Sequence, residues 1–394
     1  MSADNRWIWQ TPGWPAWRFD AQALQPAISA ARLAQGRLLG LASSLQMIDL
    51  AELQLTEWTQ EAIATAQTEG EVLQVNSVRA SAARRLGLPS ASATVRDART
   101  EATLDVLQAA VGQWQRPLAQ DDLFAWHAAL FPTGRSGLQA IVTGGWRTHA
   151  EPMQIVTPRM GKPDVVHYQA PASADVPAHM AAWLQWFNAS QGAIDGLARA
   201  ALAHLWFEAV HPFEDGNGRI GRAVVELALA QDMQSPQRLM SVSTQLLHAR
   251  ADYYAQLQAA TGRAELEVTP WVQWFATRVQ GACEAATQHI QGALEKTRFW
   301  SRVQAEHSGL SASQHKALGR LFDAGPQGFV GGLSTEKYVN LTGVSRATAY
   351  RELTQLTELG LLVRTGQGRG TRYGLAGDAG LWRGGALYHR RCPR

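Results

Sequence analysis

The sequence predicts a mostly α-helical protein with one β-hairpin set among its core helices and a small helical domain near the end. Three observations predict it. Apolar residues recur at helical spacing through most of the chain, as in Leu197 to Val210 and Val268 to Arg298. Between 136 and 170 the pattern changes to β-branched residues about a Gly/Pro turn, which reads as a hairpin. From Ala312 three short helical segments precede two strand-like runs around a Gly-rich tip, TGQGRG.

Composition sets the frame. The chain has 394 residues, enough for two or three domains. With 46% hydrophobic and 18% charged residues it has the make-up of a soluble globular protein. A net charge of +3 points to no partner by itself. No apolar run reaches the ~20 residues that span a bilayer, so no membrane partner is expected. The first ten residues, MSADNRWIWQ, hold no apolar signal core, so a cytoplasmic protein is expected. Cys283 and Cys392 match no metal or redox spacing, in keeping with a reducing compartment. The 15 Trp read as core packing.

Taken in order, Trp7, Trp9, Trp14 and Trp17 surround Pro12 and Pro15 as an aromatic arm packed on the core. A long helix follows from Ala21 to about Ser44, then a second helical stretch from Ile48 to Glu71. Arg79, Arg84 and Arg85 read as a solvated basic face. Residues 97–115 and 120–131 supply two amphipathic helices. The hairpin has strands near 153–157 and 165–168 with a turn at 158–163. Pro177 to Phe187 is a helix with Trp183, Trp186 and Phe187 toward the core. Ser243 to Leu257 is another, with Tyr253 and Tyr254 in packing roles. Trp271, Trp274 and Phe275 turn inward on the long helix from Val268, and His204 is structural. Ser345 caps the third helix of the last domain and Gly360 ends it.

The most informative stretch is His211 to Arg222, HPFEDGNGRIGR. Pro212 ends the buried helix before it, and Arg219 to Met233 is helical again. Glu214 to Gly218 is then a tight loop opening a helix. Gly216 and Gly218 allow close backbone approach to a ligand, and the helix's first N–H groups and dipole favour an anion. Asp215 is a hard oxygen ligand suited to Mg²⁺ on phosphates. Asn217 can donate to a phosphate oxygen, and Arg219 and Arg222 share a helical face from which both reach a polyphosphate. His211 has the pKa range of a general base.

This stretch resembles the Fic family signature H-x-F-x-[DE]-G-N-G-R-x-x-R at every defined position: His211, Phe213, Asp215, Gly216, Asn217, Gly218, Arg219 and Arg222. Eight such positions recur by chance on the order of 10⁻¹⁰ per start point. The resemblance implies a helical core with a β-hairpin flap, and transfer of AMP from ATP to a Ser, Thr or Tyr hydroxyl of a target protein or of the protein itself. It implies His211 as catalytic base, Asp215 as the Mg²⁺ ligand, Gly216 to Gly218 as the anion hole, and Arg219 and Arg222 on the β- and γ-phosphates. Phe213 would anchor the loop in the core. The hairpin resembles the flap that pairs with a target segment, with Met153, Gln154, Ile155, Val156 and Thr157 as the docking strand. Thr65 to Gly70, TAQTEG, resembles the family's inhibitory motif, [ST]-x-x-x-E-[GN], so Glu69 would pair with Arg222 and hold ATP from productive binding. The usual small polar pair is Ala64–Thr65 here.

The last domain resembles a winged helix-turn-helix. Arg346, Thr348, Tyr350 and Arg351 would face outward on its recognition helix, with Arg364, Arg369 and Arg372 in the wing, which leaves DNA open as a partner. The expected domains are an N-terminal helical region with the inhibitory helix (1–100), a catalytic domain (101–298), the winged domain (299–380) and a tail (381–394). Two other functions stay open beside the transferase: removal of AMP from a modified protein, and a DNA-binding regulator whose core senses a nucleotide. A homodimer also stays open.

Overall fold

The computed structural model describes residues 7–89, 97–157, 165–262, 265–307, 309–323 and 332–376. The expected turn at 158–163, the 381–394 tail and the Arg369 side chain lie outside them. The fold is mostly helical, with small antiparallel strand pairs. Among the described residues no helix is long and apolar enough to cross a membrane. The chain divides into two compact units, one ending at Gln288 and one beginning at His289.

The first unit is built on α7 (Gly196–Val210) and α8 (Asn217–Met233), which pack along one another. Every residue of α7 from Leu197 to Val210 is buried except Glu208. An all-round apolar sequence demands that environment. Asp195 caps its start, accepting from the Leu197 and Ala198 N–H groups. Buried indoles close on it: Trp183 of α6 (Val176–Ala189) donates to the Ala203 carbonyl, and Trp271 of α11 (Thr269–Glu306) to that of Ala201. These donations satisfy groups that would be costly to bury unpaired. The N-terminal aromatic arm lies on the same unit. Trp14 and Trp17 meet Trp206 edge-on at 5.9 and 6.3 Å, and Arg18 exchanges backbone hydrogen bonds with Leu266 and Val268.

Helices α1 (Ala21–Ser43) to α5 (Gln120–Leu130) come before the hairpins, with α2 at Met47–Thr68, α3 at Val75–Arg85 and α4 at Ala98–Gly112. Asp20 caps α1 through the Gln22 and Ala23 N–H groups. Helix α2 packs against α3, α4, α8 and α9 (Val242–His248). Its Glu61, fully buried, accepts the Ser243 N–H at 3.0 Å and the Ser241 hydroxyl at 2.8 Å. Both donors sit at the N-terminus of α9, whose dipole favours the carboxylate. Arg79 and Arg84 are exposed, as a solvated basic face requires, and Arg85 is partly buried. Arg79 pairs with Glu52 of α2, Arg84 with Glu101 of α4, and Arg85 with Glu101 and Asp105 of α4. Acidic partners on both flanking helices, invisible to a reading of α3 alone, hold the cluster.

Two antiparallel pairs follow α5: β1 (Arg135–Ser136) with β2 (Gln139–Ala140), and β3 (Gln154–Thr157) with β4 (Val165–Gln169). The β3–β4 register shifts between Ile155 and Val156. The segment expected as one helix over 243–257 is two, α9 and α10 (Arg250–Thr261), broken at Ala249. Neither Gly nor Pro marks that break, and nothing in the local sequence explains it.

In the second unit α12 (Ala312–Asp323), α13 (Thr335–Thr342) and α14 (Arg346–Glu358) enclose a core of Leu318, Tyr338, Leu353 and Leu356. Strands β5 (Leu362–Thr365) and β6 (Arg372–Leu375) pair antiparallel, and Leu333 bridges to Tyr373. Ser345 caps α14 through the Thr348 N–H, and Gly360 closes it at φ 69°.

The Glu61 anchor yields a prediction. Glu61→Ala should lower the unfolding free energy of the first unit by about 2–3 kcal/mol, because buried donors lose their acceptor. Glu61→Gln should cost less, since its amide oxygen still accepts. Urea unfolding measures both, and an unchanged midpoint in the Ala variant would remove Glu61 as the anchor of α2.

Candidate functional site

The loop between α7 and α8 gathers the chemistry. Helix α7 ends at His211, which adopts the left-handed conformation at φ 52°, ψ 60°. A non-glycine residue there stores strain and persists only when its surroundings hold it. They do. Arg147 donates from Nε to the His211 carbonyl at 2.8 Å and from its backbone N–H to that of Pro212 at 2.9 Å. Phe213 is fully buried and stacks on His127 at 4.2 Å between centroids. Asn217 closes the loop, accepting the Phe213 N–H at 2.9 Å and donating to the Phe213 carbonyl at 2.8 Å. Gly216 starts α8 at φ 81°, where an added Cβ would lie 2.8 Å from the Phe131 ring. Glycine is required twice over at that position.

The α8 N-terminus faces a cavity of about 450 Å³, within the range that holds a small ligand. His211, Asp215, Gly216, Asn217, Gly218 and Arg222 line it, together with Glu69, Glu208, Tyr253 and Tyr254. Helix α2 ends against it. Arg222, 2% exposed, donates from Nε to the Thr65 hydroxyl at 2.7 Å and from Nη2 to Glu69 Oε1 at 2.7 Å. The Glu69 carboxylate also lies over Gly218: a Cβ there would collide with Glu69 Oε1. A carboxylate of this chain thus sits where the helix N-terminus favours an anion. Arg219 points elsewhere. It bonds Glu71 at 2.9 Å, lies 3.6 Å from Asp215 Oδ1 and stacks over the Phe131 ring.

Burial sets the protonation states. It pushes the His211 imidazole down to about 4, and the Arg147 cation acts in the same sense. His211 is therefore neutral near pH 7, with its side chain 19% exposed and Nδ1 3.8 Å from Glu208 Oε2. Burial pushes Glu208 up to about 8, and the nearby Glu69 adds to the rise. Glu208 is the one acid in the apolar run Leu197 to Val210, a signal the motif reading passed over. The Asp215 side chain is 41% exposed. Its Oδ2 accepts from the Ser136 hydroxyl and its Oδ1 from the Gly216 N–H.

The sequence-predicted residues divide in how the structure uses them. His211, Asp215, the Gly216–Gly218 backbone, Arg222 and Glu69 come together at one cavity. The Asn217 side chain is spent on the Phe213 backbone, which leaves only its N–H for a ligand. Arg219 is committed to Glu71 and does not line the cavity. Of the docking strand, Ile155 lines the cavity, and Ile155 and Val156 are exposed. Strand β3 pairs only with β4 among the described residues, which leaves its other edge open. Tyr253 is buried, with its hydroxyl on His204 at 2.8 Å, as a packing role requires. Tyr254 is 43% exposed on the cavity wall, so the packing expectation fails for it. Arg147 and Ser136 went unnoticed because their partners are backbone carbonyls and a distant carboxylate.

Comparisons with known proteins agree with this geometry. Residues 117–229 match the Fic/DOC family, residues 7–88 a domain of unknown function (DUF4172), and residues 328–376 the C-terminal domain of a DIP2311-like transcriptional regulator. The chain carries a Fic domain. It is 31% identical over 169 residues to a protein of Caenorhabditis briggsae named protein adenylyltransferase fic-1, an alignment covering 43% of this chain and 31% of that protein. The fic-1 protein of Caenorhabditis elegans is 34% identical over 113 residues, covering 28% and 20%. The chain thus spans about a third or less of the length of these relatives. A Fic family protein from Desulfovibrio desulfuricans G20 shares the fold, with a TM-score of 0.51 at 21% identity over 91% of this chain and 97% of that one.

Glu208 gives a pH prediction. A carboxyl raised from its ordinary value near 4.5 to about 8 binds a proton in the folded state that the unfolded state releases. Its contribution is therefore present below pH 4.5 and lost as pH rises through 8. Glu208→Gln should remove that downward slope, so the variant gains on the wild type between pH 5 and 8. Parallel urea curves at pH 5, 6.5 and 8 would show it, and equal pH slopes would exclude a raised Glu208.

Proposed function

We infer that this protein transfers AMP from ATP to a hydroxyl group of a protein, and that Glu69 restrains the transfer. The reaction class follows the names of the fic-1 relatives. The observation that carries it is His211 in the same cavity as the N-terminus of α8 and the buried Arg222. His211 takes the proton of the attacking hydroxyl. The oxygen forms its bond to the α-phosphorus as the bond to pyrophosphate breaks. The amides of Asn217 and Gly218, and that of Gly216 once freed from Asp215, receive the phosphate charge, so the site works by positioning and charge neutralisation. Arg222, and Arg219 once freed from Glu71, take the outer phosphates.

Asp215 fits a Mg²⁺ ion. Among the described residues no three acidic, His or Cys side chains converge as a metal cluster. A single exposed carboxylate is the donor with which Mg²⁺ completes its shell from phosphates and water. Bound there, the ion would offset negative charge on the phosphates. Glu69 restrains because it occupies Arg222 and lies over Gly218, and either contact opposes an incoming phosphate. A target segment would add to the open edge of β3, with Met153 to Thr157 as its partner strand.

Incubation with Mg²⁺ and ATP followed by intact mass tests the reading. Glu69→Gly should gain an AMP adduct at least tenfold faster than wild type, and His211→Ala in that background should gain none. An adduct on the His211 variant at the parent rate would end the base assignment.

A second reading concerns the other unit. Arg346, Tyr350 and Arg351 are exposed on α14, and Arg364 on β5. Arg346, Tyr350 and Arg364 share a cavity with Thr371. These cations suit the phosphate backbone of DNA read by a winged helix-turn-helix. A duplex of about 30 base pairs should bind with an affinity that falls steeply between 50 and 200 mM salt, and Arg346→Ala should flatten that slope. No binding at low salt would make this unit a protein-interaction module.

A further inference from the structure

The last carbonyls of an α-helix have no partner inside the helix. At the end of α7 these groups are capped from one place, the stem of the β3–β4 hairpin. Tyr168 of β4 donates its hydroxyl to the Ala209 carbonyl at 2.5 Å. Arg147, just before β3, bonds the carbonyls of Val210 (3.4 Å) and His211 (2.8 Å) through its guanidinium, and that of Pro212 (2.9 Å) through its backbone N–H. The same guanidinium reaches past the far side of the hairpin, to the Pro171 carbonyl at 2.6 Å and the Ser173 hydroxyl at 2.8 Å. Ser173 in turn donates to the His149 carbonyl at 2.7 Å, closing the stem. Arg147 is 1% exposed and has no carboxylate within ion-pair distance among the described residues. Its charge is balanced by carbonyls at a helix C-terminus, where a cation is favoured. Holding a buried cation with no acid beside it would be wasteful for packing alone.

We propose that Arg147 is a positioning residue that joins the docking hairpin to His211, so that strand and imidazole move as one body when a target segment binds. It fixes His211 in its left-handed conformation and sets the hairpin's root against the same peptide group. The idea rests on the adenylyl-transfer reading for its role in catalysis, but the coupling itself is a property of the fold.

Hydrogen exchange followed by mass spectrometry tests the coupling without any activity. Arg147→Met should raise exchange tenfold or more at the loop after α7 and in β3–β4 together, with α2, α4 and α12 unchanged. Ser173→Ala, a gentler change that keeps the bonds to His211, should loosen the hairpin root alone. In Arg147→Met, unchanged exchange, or faster exchange in the hairpin only, in the loop only, or evenly over the whole first unit, would overturn the proposal. Self-modification rates in the Glu69→Gly background supply the catalytic arm. Arg147→Met should lower the maximal rate about 100-fold, the scale of a 1 Å misplacement. The half-saturating ATP concentration should stay put, and Arg147→Lys should restore part of the rate. A raised half-saturating ATP with an unchanged maximal rate would count against it. If the Glu69→Gly parent shows no adduct, the transfer reading fails while the exchange result still decides the coupling.

Discussion

A guanidinium shut away from water must be surrounded by acceptors, and the partners of Arg222 explain why the first unit holds together as it does. Three contacts reach it from the end of α2: the Thr65 hydroxyl, the Thr65 carbonyl and the Glu69 carboxylate. Removing one partner of so buried a charge leaves the rest uncompensated. Helix α2 is therefore not an ornament on the core. Its C-terminal turn completes the solvation of a residue that belongs to α8, and Glu61 ties its middle to α9. A ligand phosphate at Arg222 would take over a task that Glu69 already performs. The restraint proposed for Glu69 and the integrity of the fold would share one ion pair.

The loop between α7 and α8 shows how rigid backbone and available chemistry coexist. His211 bears a positive φ, and Gly216 another. Between them Phe213 is sunk in an aromatic nest with His127 and Trp146. Asn217 shuts the turn from within. What is left facing the cavity is an imidazole, a carboxylate and a set of amides, each placed by groups that take no part in the chemistry. The order of the motif reflects that division: about half of its fixed residues hold the loop and half present it.

Much of this was legible in the sequence because the signals were local. The twelve residues from His211 fix the helix–loop–helix and its polar inventory, and the Ala- and Leu-rich run before them, without Gly or Pro, reads as a buried helix. The hairpin announced itself by alternation, and the caps Ser345 and Gly360 by their place. The misses share a cause as well. The ion pairs of the α3 arginines and the role of Arg147 depend on partners distant in sequence. Asn217 reads as a donor to a ligand until the loop closes on it. The break at Ala249 leaves no mark in composition. Tyr254 differs from Tyr253 by the helical step that leaves one ring exposed on the cavity wall and buries the other against His204. Pattern reveals which elements form; it does not reveal where a side chain's hydrogen bonds are spent.

The aromatic arm has a consequence for the order in which the molecule assembles. Arg18 exchanges hydrogen bonds with Leu266 and Val268, and the Asp20 N–H bonds Thr269, 249 residues further on. Contacts of such separation pay a large loop-closure entropy before they return anything. On a growing chain they wait until α11 has begun to emerge. The Trp14 and Trp17 rings have their partner, Trp206, earlier in the chain and can dock before that. The arm can therefore close in two steps, its indoles before its backbone.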